Sequence, residues 1–276
     1  MRRTLSLCLL CVSMASTPMS VFAMEVYFDL AADGAINASM DDTNRWRDVA
    51  VMEPTSLAGP ALPSAGSGWG GSATLGFQFV EHCAFEIGVG FRRGLRSTYS
   101  NDNPADGVFQ ELSLSADVLR FTPALVFSSK VARWRPYARV GPMLAFAYMD
   151  WREDKQLRFA GGAQYKTTTE VDLNGPLLLG LHGAVGTTMR VDESLSFFVE
   201  VAYTGVAAAV AKAKITRYEV DGQDKLGTLA RNEKDFVFVD QPSASKTYSS
   251  DSPREVVSKR FRLSSIGMRV GLRVDL

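Results

Sequence analysis

The chain has 276 residues, with 30 Lys and Arg against 30 Asp and Glu, so its formal net charge at pH 7 is zero. This balance argues against nucleic acid as a partner, because nucleic-acid-binding domains carry an excess of Lys and Arg. The length fits a single domain, since β-barrels of about 250 residues commonly form one domain.

The N-terminal segment has the features of a secretory signal peptide. Two arginines follow the first methionine, residues 5–14 form an apolar run, and Ala23 ends a Val-Phe-Ala cleavage site. Spanning a bilayer as a helix takes roughly 20 apolar residues, so this run is too short to be an anchor. We therefore predict a signal peptide over 1–23 and an exported barrel domain over 24–276.

Removal of the signal peptide changes the charge and the cysteine count. It leaves 28 basic against 30 acidic residues, a formal charge of −2, and Cys83 as the one remaining cysteine. A single cysteine cannot form an internal disulfide. No group of His, Cys, Asp and Glu has metal-ligand spacing. We therefore expect neither a metal nor a cofactor.

The last eleven residues show a strict alternation of apolar and polar side chains, which predicts a β-strand. An apolar face backed by Gly, Arg and Asp is typical of a strand that stands between lipid and water. The apolar face carries Ile266, Met268, Val270, Leu272, Val274 and Leu276, and the opposite face carries Gly267, Arg269, Gly271, Arg273 and Asp275.

Seven earlier segments alternate in the same way, which brings the number of predicted strands to eight. They lie at 25–33, 72–79, 85–92, 111–118, 138–148, 179–190 and 196–204. In the fourth strand this alternation places the apolar residues from Leu112 to Val118 on the lipid face. Residues 235–240 are predicted to form a short extra strand above the membrane.

The connections between these strands alternate in length. Short ones at 81–83, 128–133 and 192–195 alternate with long polar ones at 35–68, 97–109, 150–176 and 212–259. This layout predicts an all-β fold, an eight-stranded antiparallel transmembrane β-barrel with short periplasmic turns and long extracellular loops. The alternative is a soluble barrel of the lipocalin type, in which the apolar face is buried.

Residues 134–141 read W-R-P-Y-A-R-V-G, which resembles the W-x-P-Y-x-x-x-G stretch of small outer membrane barrels of the OmpW, OmpA and opacity type. Residues 119–125, with a proline, resemble the OmpW-type fourth strand. The resemblance implies an outer membrane location with surface-exposed loops and insertion by the barrel-assembly machinery through the C-terminal strand. For the OmpW branch it also implies passive passage of small hydrophobic molecules. The chain departs from the family in ending on Leu276 rather than Phe.

Charges of both signs on the second face of the strands are predicted to line the lumen. They either form a salt-bridge network that fills the barrel or line a narrow polar path. No motif links His182 to a nucleophile, so we expect no enzyme. The predicted lumen-lining residues are Asp29, Glu86, Arg92, Asp117, Arg139, His182, Arg190, Glu200, Arg269 and Arg273.

An apolar patch in the lumen is the second feature that bears on function. If the fourth strand keeps its phase beyond Val118, then Leu119, Phe121 and Leu125 turn inward, where they suit a hydrophobic ligand. The alternative is a β-bulge near Leu119 that returns these residues to the lipid.

The sequence favours a passive channel or binding barrel for small hydrophobic solutes embedded in outer membrane lipids. Pro123 and Pro142 lie on neighbouring strands, and each removes one ladder hydrogen-bond donor, which suggests a lateral opening. The alternative is a barrel with a closed lumen whose long loops bind host or matrix ligands.

Overall fold

The computed structural model describes residues 25–37, 66–103, 107–129, 133–158, 162, 164–175, 177–240, 249–257 and 260–276. The predicted signal peptide lies outside these residues. The first eight strands are β1 Glu25–Asn37, β2 Gly68–Val80, β3 Cys83–Gly94, β4 Ser97–Asn103, β5 Val108–Ser128, β6 Trp134–Arg158, β7 Gln164–Asn174 and β8 Leu178–Arg190. They are followed by β9 Leu195–Ala209, β10 Lys212–Val220, β11 Gln223–Asp224, β12 Asp235–Val239, β13 Arg254–Val257, β14 Arg260–Arg262 and β15 Ser265–Asp275.

Helical structure is limited in the described part of the chain to a 3-10 turn, Leu226–Thr228, and a single-turn helix, α1, Arg231–Lys234. No helix among the described residues is long and apolar enough to span a membrane.

Eight strands form a closed antiparallel ring in the order β1, β2, β3, β5, β6, β8, β9 and β15, and β15 pairs again with β1. Each of the eight predicted segments forms one of these strands, which confirms the eight-stranded antiparallel barrel. Three pairs of successive ring strands approach each other at one rim, where Val80 precedes Cys83, Ser128 precedes Trp134 and Arg190 precedes Leu195. This rim is named here the turn rim, and the opposite ends of the ring strands define the loop rim.

The wall of the ring has polar side chains inside and apolar side chains outside. On β15, Arg269 and Arg273 are buried in the ring, whereas Val270 and Leu272 are exposed on its outer surface. This is the reverse of a lipocalin-type barrel, whose apolar face is buried. Exposed apolar residues from the other ring strands include Leu30, Leu75, Phe85, Val89, Phe91, Phe127, Val140, Phe146, Leu181, Val185 and Val201.

β5 and β6 have 21 and 25 residues, and both continue beyond the loop rim. Their extensions pair with β4 and β7, and the sheet continues through β10, β12 and β13. We call this extension the loop-side sheet. β12 covers Asp235–Val239, so the extra strand predicted at this position is confirmed.

The inner face of the loop-side sheet packs over the barrel at the loop rim. Its side chains, together with inward-facing residues at the adjoining ends of β6, β8 and β9, form an apolar core that we call the apolar cap. Apolar residues inside and charged residues outside are the arrangement of a water-soluble sheet, so the polarity of the wall reverses above the ring. The cap consists of Leu114, Ala116, Met143, Ala145, Ala147, Met149, Val171, Leu173, Leu178, Val206, Val210, Ala213, Ile215, Phe236 and Leu263.

The predicted orientation of the fourth strand is therefore wrong for residues 112–118. Leu114 and Ala116 are buried in the cap, and Asp117 faces outward, where it accepts a hydrogen bond of 3.0 Å from the backbone N–H of Gly94. The register of β5 stays constant against β3 and β6, so there is no bulge near Leu119. The prediction failed because the apolar side chains change along β5 from the outer to the inner face of the wall. The strand itself continues with an unbroken alternation of inward and outward residues.

Candidate functional site in the barrel interior

The centre of the barrel is occupied by Arg139, which projects inward from β6. Its guanidinium lies 3.1 Å from Glu86 on β3, 3.3 Å from Glu200 on β9 and 3.8 Å from Asp29 on β1. β6 and β1 are four positions apart in the ring of eight strands, so the contact with Asp29 crosses the full width of the barrel. The axis of the barrel is therefore filled at this level.

A second arginine closes the network on the turn-rim side. Arg273 forms two hydrogen bonds to Asp29, at 2.7 and 2.8 Å, and a third to Glu86 at 3.3 Å. Its guanidinium also lies 3.7 Å from the centre of the Tyr27 ring. The Tyr27 hydroxyl donates at 2.6 Å to the same oxygen of Glu86, Oε1, while the other oxygen, Oε2, lies 3.1 Å from Arg139. Buried ion pairs are stable only when such additional hydrogen bonds are present.

A third group of residues lies nearer the loop rim. Arg120 is paired with Asp33, and Arg269 with Glu200. The side chain of Arg269 also donates to the hydroxyl of Ser72 at 2.7 Å. These contacts link β5 to β1 and β15 to both β9 and β2, so the charged network extends through much of the interior.

Two further buried side chains form hydrogen bonds between strands. The Tyr137 hydroxyl on β6 donates to Glu200 at 2.8 Å. Arg92 on β3 donates to the Ser265 hydroxyl on β15 at 2.6 Å. The apolar cap lies directly above this level. A small cavity of about 10 Å³ between Arg92, Arg120, Thr204 and the cap residues has room for roughly one water molecule.

Of the predicted lumen-lining residues, eight are buried inside the ring and belong to this network or border it. They are Asp29, Glu86, Arg92, Arg139, His182, Glu200, Arg269 and Arg273. Asp117 does not join them, because it lies on the outer face above the ring. Arg190 is exposed at the turn rim, where its side chain donates to the backbone carbonyls of Asp192 and Glu193. Both residues are corrections to the sequence prediction.

The predicted apolar patch in the lumen is also wrong. Leu119, Phe121 and Leu125 are 41, 38 and 45% exposed, and they point outward from the wall. The inward positions between them hold Arg120 and Ala124 instead. These three residues face the outside of the barrel, as in the alternative interpretation of the sequence. The β-bulge that this interpretation assumed is absent.

The two prolines of the suggested lateral opening lie directly opposite each other. The β5–β6 pairing is interrupted at residues 122–124 and resumes with Leu125 opposite Val140 in the same register, which places Pro123 against Pro142. The contact between β5 and β6 at these two prolines, which we call the seam, is nevertheless close. A side-chain carbon added at Gly141 would collide with the backbone carbonyl of Pro123, so only glycine allows this close approach of the strands.

Sequence reasoning missed several members of the network. Arg120 lies between Leu119 and Phe121, and the polar residue between two lipid-facing ones was the signal that could have placed it inside. Tyr137 belongs to the recognised W-R-P-Y stretch, but no pattern pointed to its bond with Glu200. Among the described residues there is no group of three or more His, Cys, Asp or Glu that could hold a metal ion.

No protein-family model matches the chain, and neither does any curated protein sequence. Several solved structures are similar. Neisserial surface protein A is 10% identical over 92% of this chain and 97% of its own, with a TM-score of 0.37. CarO2 of Acinetobacter baumannii is 11% identical over 91% of this chain and 99% of its own, with a TM-score of 0.32. Similarity at this level assigns neither a family nor a function.

Proposed function

We propose that this protein is a bacterial outer membrane barrel with a closed lumen, which displays the loop-side sheet at the cell surface as a platform for binding host or matrix ligands. The observation that carries the proposal is the interior. Charged side chains cross the barrel axis at Arg139, and the apolar cap covers them at the loop rim. This reverses the order expected from the sequence, in which a passive channel ranks first.

The membrane location is supported by the outer surface of the ring. Apolar side chains face outward on all eight ring strands, and aromatic residues are exposed towards both rims. Trp134 and Phe127 lie towards the turn rim, and Trp69, Tyr148 and Tyr203 towards the loop rim. Aromatic girdles at the two interfaces are typical of transmembrane barrels, which also have longer loops on the extracellular side.

The closed lumen is supported by the energetics of the network. Opening a continuous path would separate Arg139 from Glu86, Glu200 and Asp29, and removing one partner of a buried ion pair typically costs about 3–5 kcal/mol. Liposome swelling tests this part of the proposal. Vesicles containing the folded protein are expected to take up a small neutral sugar no faster than empty vesicles. Rapid uptake would contradict a closed lumen.

The platform role is supported by the size of the loop-side sheet and by the two strands, β5 and β6, that join it rigidly to the ring. Functional residues are frequently carried on segments positioned by a rigid scaffold. Solid-phase binding to a panel of matrix proteins tests this role, with protein that a protease has trimmed from the loop side as the control. Binding that survives trimming would contradict the platform role.

A second candidate function is the passage of small apolar solutes with lateral exit into the bilayer. It is favoured by the interrupted ladder at Pro123 and Pro142. If this seam opens, the double substitution Pro123→Ala and Pro142→Ala restores ladder donors and slows uptake of an apolar solute into vesicles. Uptake that is unchanged in the double variant would exclude lateral exit at this seam.

We also propose outer membrane lipids as the surroundings of the exposed apolar side chains on the outer face of the ring, named here the apolar band. The barrel-assembly machinery is the proposed partner of the C-terminal strand. The support is the alternation from Ile266 to Val274, in which the apolar residues are exposed on the outer face. The terminal Leu276 is also exposed. Replacement of Leu276 by Phe tests its role in recognition, and an increased rate of assembly in cells is the expected result.

A further inference from the structure

The part of the lumen between the ion-pair network and the apolar cap contains more positive than negative charge. Arg92, Arg120 and Arg269 meet there, and the carboxylates in contact with them are Asp33 and Glu200. Glu200 is shared with Arg139, so it does not neutralise Arg269 alone.

The imbalance extends to the whole described interior. It contains five arginines and four carboxylates, which leaves one positive charge in excess. The buried charged residues of the ring are Asp29, Asp33, Glu86, Arg92, Arg120, Arg139, Glu200, Arg269 and Arg273. A buried charge without a counter-charge is unfavourable, because it has lost its hydration without gaining a partner of opposite sign.

Arg92 is the arginine that lacks an acidic partner among the described residues. It is 8% exposed, and its hydrogen bond goes to the neutral hydroxyl of Ser265. Its Nε has no hydrogen-bond partner in the described part of the chain, and the same is true of the Nε of Arg269 and of Nδ1 of His182. His182 is 4% exposed and pairs with Thr204 across the β8–β9 ladder.

Of these residues, Arg92 and Thr204 border the cavity of about 10 Å³ described above. With Arg120 they provide its polar lining, and the rest of the lining comes from Gly66, Val118 and residues of the apolar cap. A volume of this size accommodates roughly one water-sized sphere, so a monatomic ion fits but a phosphate, sulfate or carboxylate ligand does not. The excess positive charge selects an anion over a cation.

We propose that the upper lumen binds one small inorganic anion of the size of chloride, held between the guanidinium groups of Arg92 and Arg120 beside the hydroxyl of Thr204. The anion balances the charge of the interior and supplies Arg92 with the partner that the described residues do not provide. It is a structural component of the closed barrel. A water molecule in the same place would satisfy hydrogen bonds but would leave the positive charge uncompensated.

Diffraction from crystals of the folded barrel grown in sodium bromide, measured at the bromine absorption edge, tests the position of the site. An anomalous peak between Arg92 and Arg120 is the expected result. The absence of a peak inside the ring, with peaks on the exterior alone, would overturn the proposal.

Thermal unfolding of the full mature chain in detergent gives an independent readout. Replacing sodium gluconate by sodium chloride at constant ionic strength is expected to raise Tm saturably, by about 2–4 °C. The Arg92→Gln variant loses this shift and is at least as stable as the wild type in gluconate, because it removes the excess charge. Arg93→Gln is the matched control, since Arg93 is the next residue and is exposed on the outer face.

A shift of equal size in the wild type and in Arg92→Gln, or no shift in the wild type, would contradict a site at Arg92. Thr204→Val provides a second variant that keeps the shape of the side chain, and a reduced shift is expected for it. The liposome swelling experiment is independent of these measurements. A result that contradicts the anion site therefore does not contradict the closed lumen.

Discussion

Asp117 lies directly opposite Tyr148 in the β5–β6 ladder, at the level where the outer face of the wall changes from apolar to charged side chains. One step towards the turn rim, Leu119 pairs with Phe146, and both are exposed apolar residues. One step towards the loop rim, Ser115 pairs with Asp150. The Asp117–Tyr148 pair therefore marks the proposed boundary between lipid and water on this side of the barrel.

The lipid-facing role of the band is tested by an arginine on the outer face of β15. Val270 is central in the apolar alternation, and Arg on the lipid face near the bilayer midplane costs roughly 2–4 kcal/mol. Val270→Arg should lower the folded fraction in lipid vesicles accordingly. Gly34→Arg is the control, because Gly34 lies towards the loop rim with open space around its α-carbon, where the cost falls to about 0–1 kcal/mol. Equal costs at the two positions would contradict the assignment of the band.

The central ion-pair network should dominate the stability of the interior. Arg139→Met leaves Glu86, Glu200 and Asp29 without their shared partner, and the free energy of unfolding should fall by about 3–5 kcal/mol. Arg190→Met is the control, since Arg190 is exposed at the turn rim and its replacement should change stability by less than about 0.5 kcal/mol. Urea unfolding in vesicles measures both. A loss at Arg139 no larger than at Arg190 would mean that the network contributes little.

The outer face of the loop-side sheet should give the protein a dependence on pH. Partial burial, together with the nearby charges of Asp172 and Asp117, raises the pKa of Asp150 above its ordinary value. A raised pKa means that the folded state binds the proton more tightly than the unfolded state does. The ionised carboxylate therefore lowers the stability of the fold above this pKa, and this loss of stability disappears as the pH falls through it. Asp150→Asn should therefore stabilise the protein at pH 7.

The expected gain for Asp150→Asn is below about 1 kcal/mol, because the group is largely exposed and its charge is screened. Thermal melts at neutral and acidic pH measure it. The variant and the wild type should converge at the acidic end. A gain that persists or grows on acidification would contradict the assignment to Asp150.

Orientation in the membrane is tested by labelling with a membrane-impermeant maleimide on intact cells, in a Cys83→Ser background. Gly227→Cys places a thiol on the 3-10 turn beyond the loop rim, where an added side chain meets open space. Glu193→Cys places one in an exposed connection at the turn rim. Labelling at residue 227 without labelling at residue 193 is expected. The reverse pattern would place the loop-side sheet in the periplasm.

The strands of the ring could be predicted because their alternation persists over many residues. In β15, for example, every residue from Ile266 to Val274 lies on the face that its position in the sequence indicates. The same rule failed on β5, where Leu112 to Val118 alternate as strictly as a lipid-facing strand. Alternation fixes which residues share a face, but it does not fix which face points inward, and above the membrane apolar residues point inward.

The contacts inside the barrel were less accessible to sequence reasoning. The inward direction of Arg139 and Glu200 follows from alternation, but the pairing of Arg120 with Asp33 joins strands three positions apart in the ring. It depends on the relative register of β1 and β5, which no local pattern encodes. Arg190 has the position in the alternation of β8 that belongs to the inward-facing residues. It lies at the end of the strand, however, and its side chain binds the adjacent turn instead of entering the lumen.

Conductance of single molecules in planar lipid bilayers tests the closed lumen at the level of one barrel. Because Arg139 spans the axis and the apolar cap covers the loop rim, the wild-type protein should produce no stable conductance step above the bare bilayer. The Arg139→Met variant, where it inserts, should produce brief openings more often than the wild type. Long-lived, uniform conductance steps from the wild-type protein would contradict the closed barrel and would favour the channel.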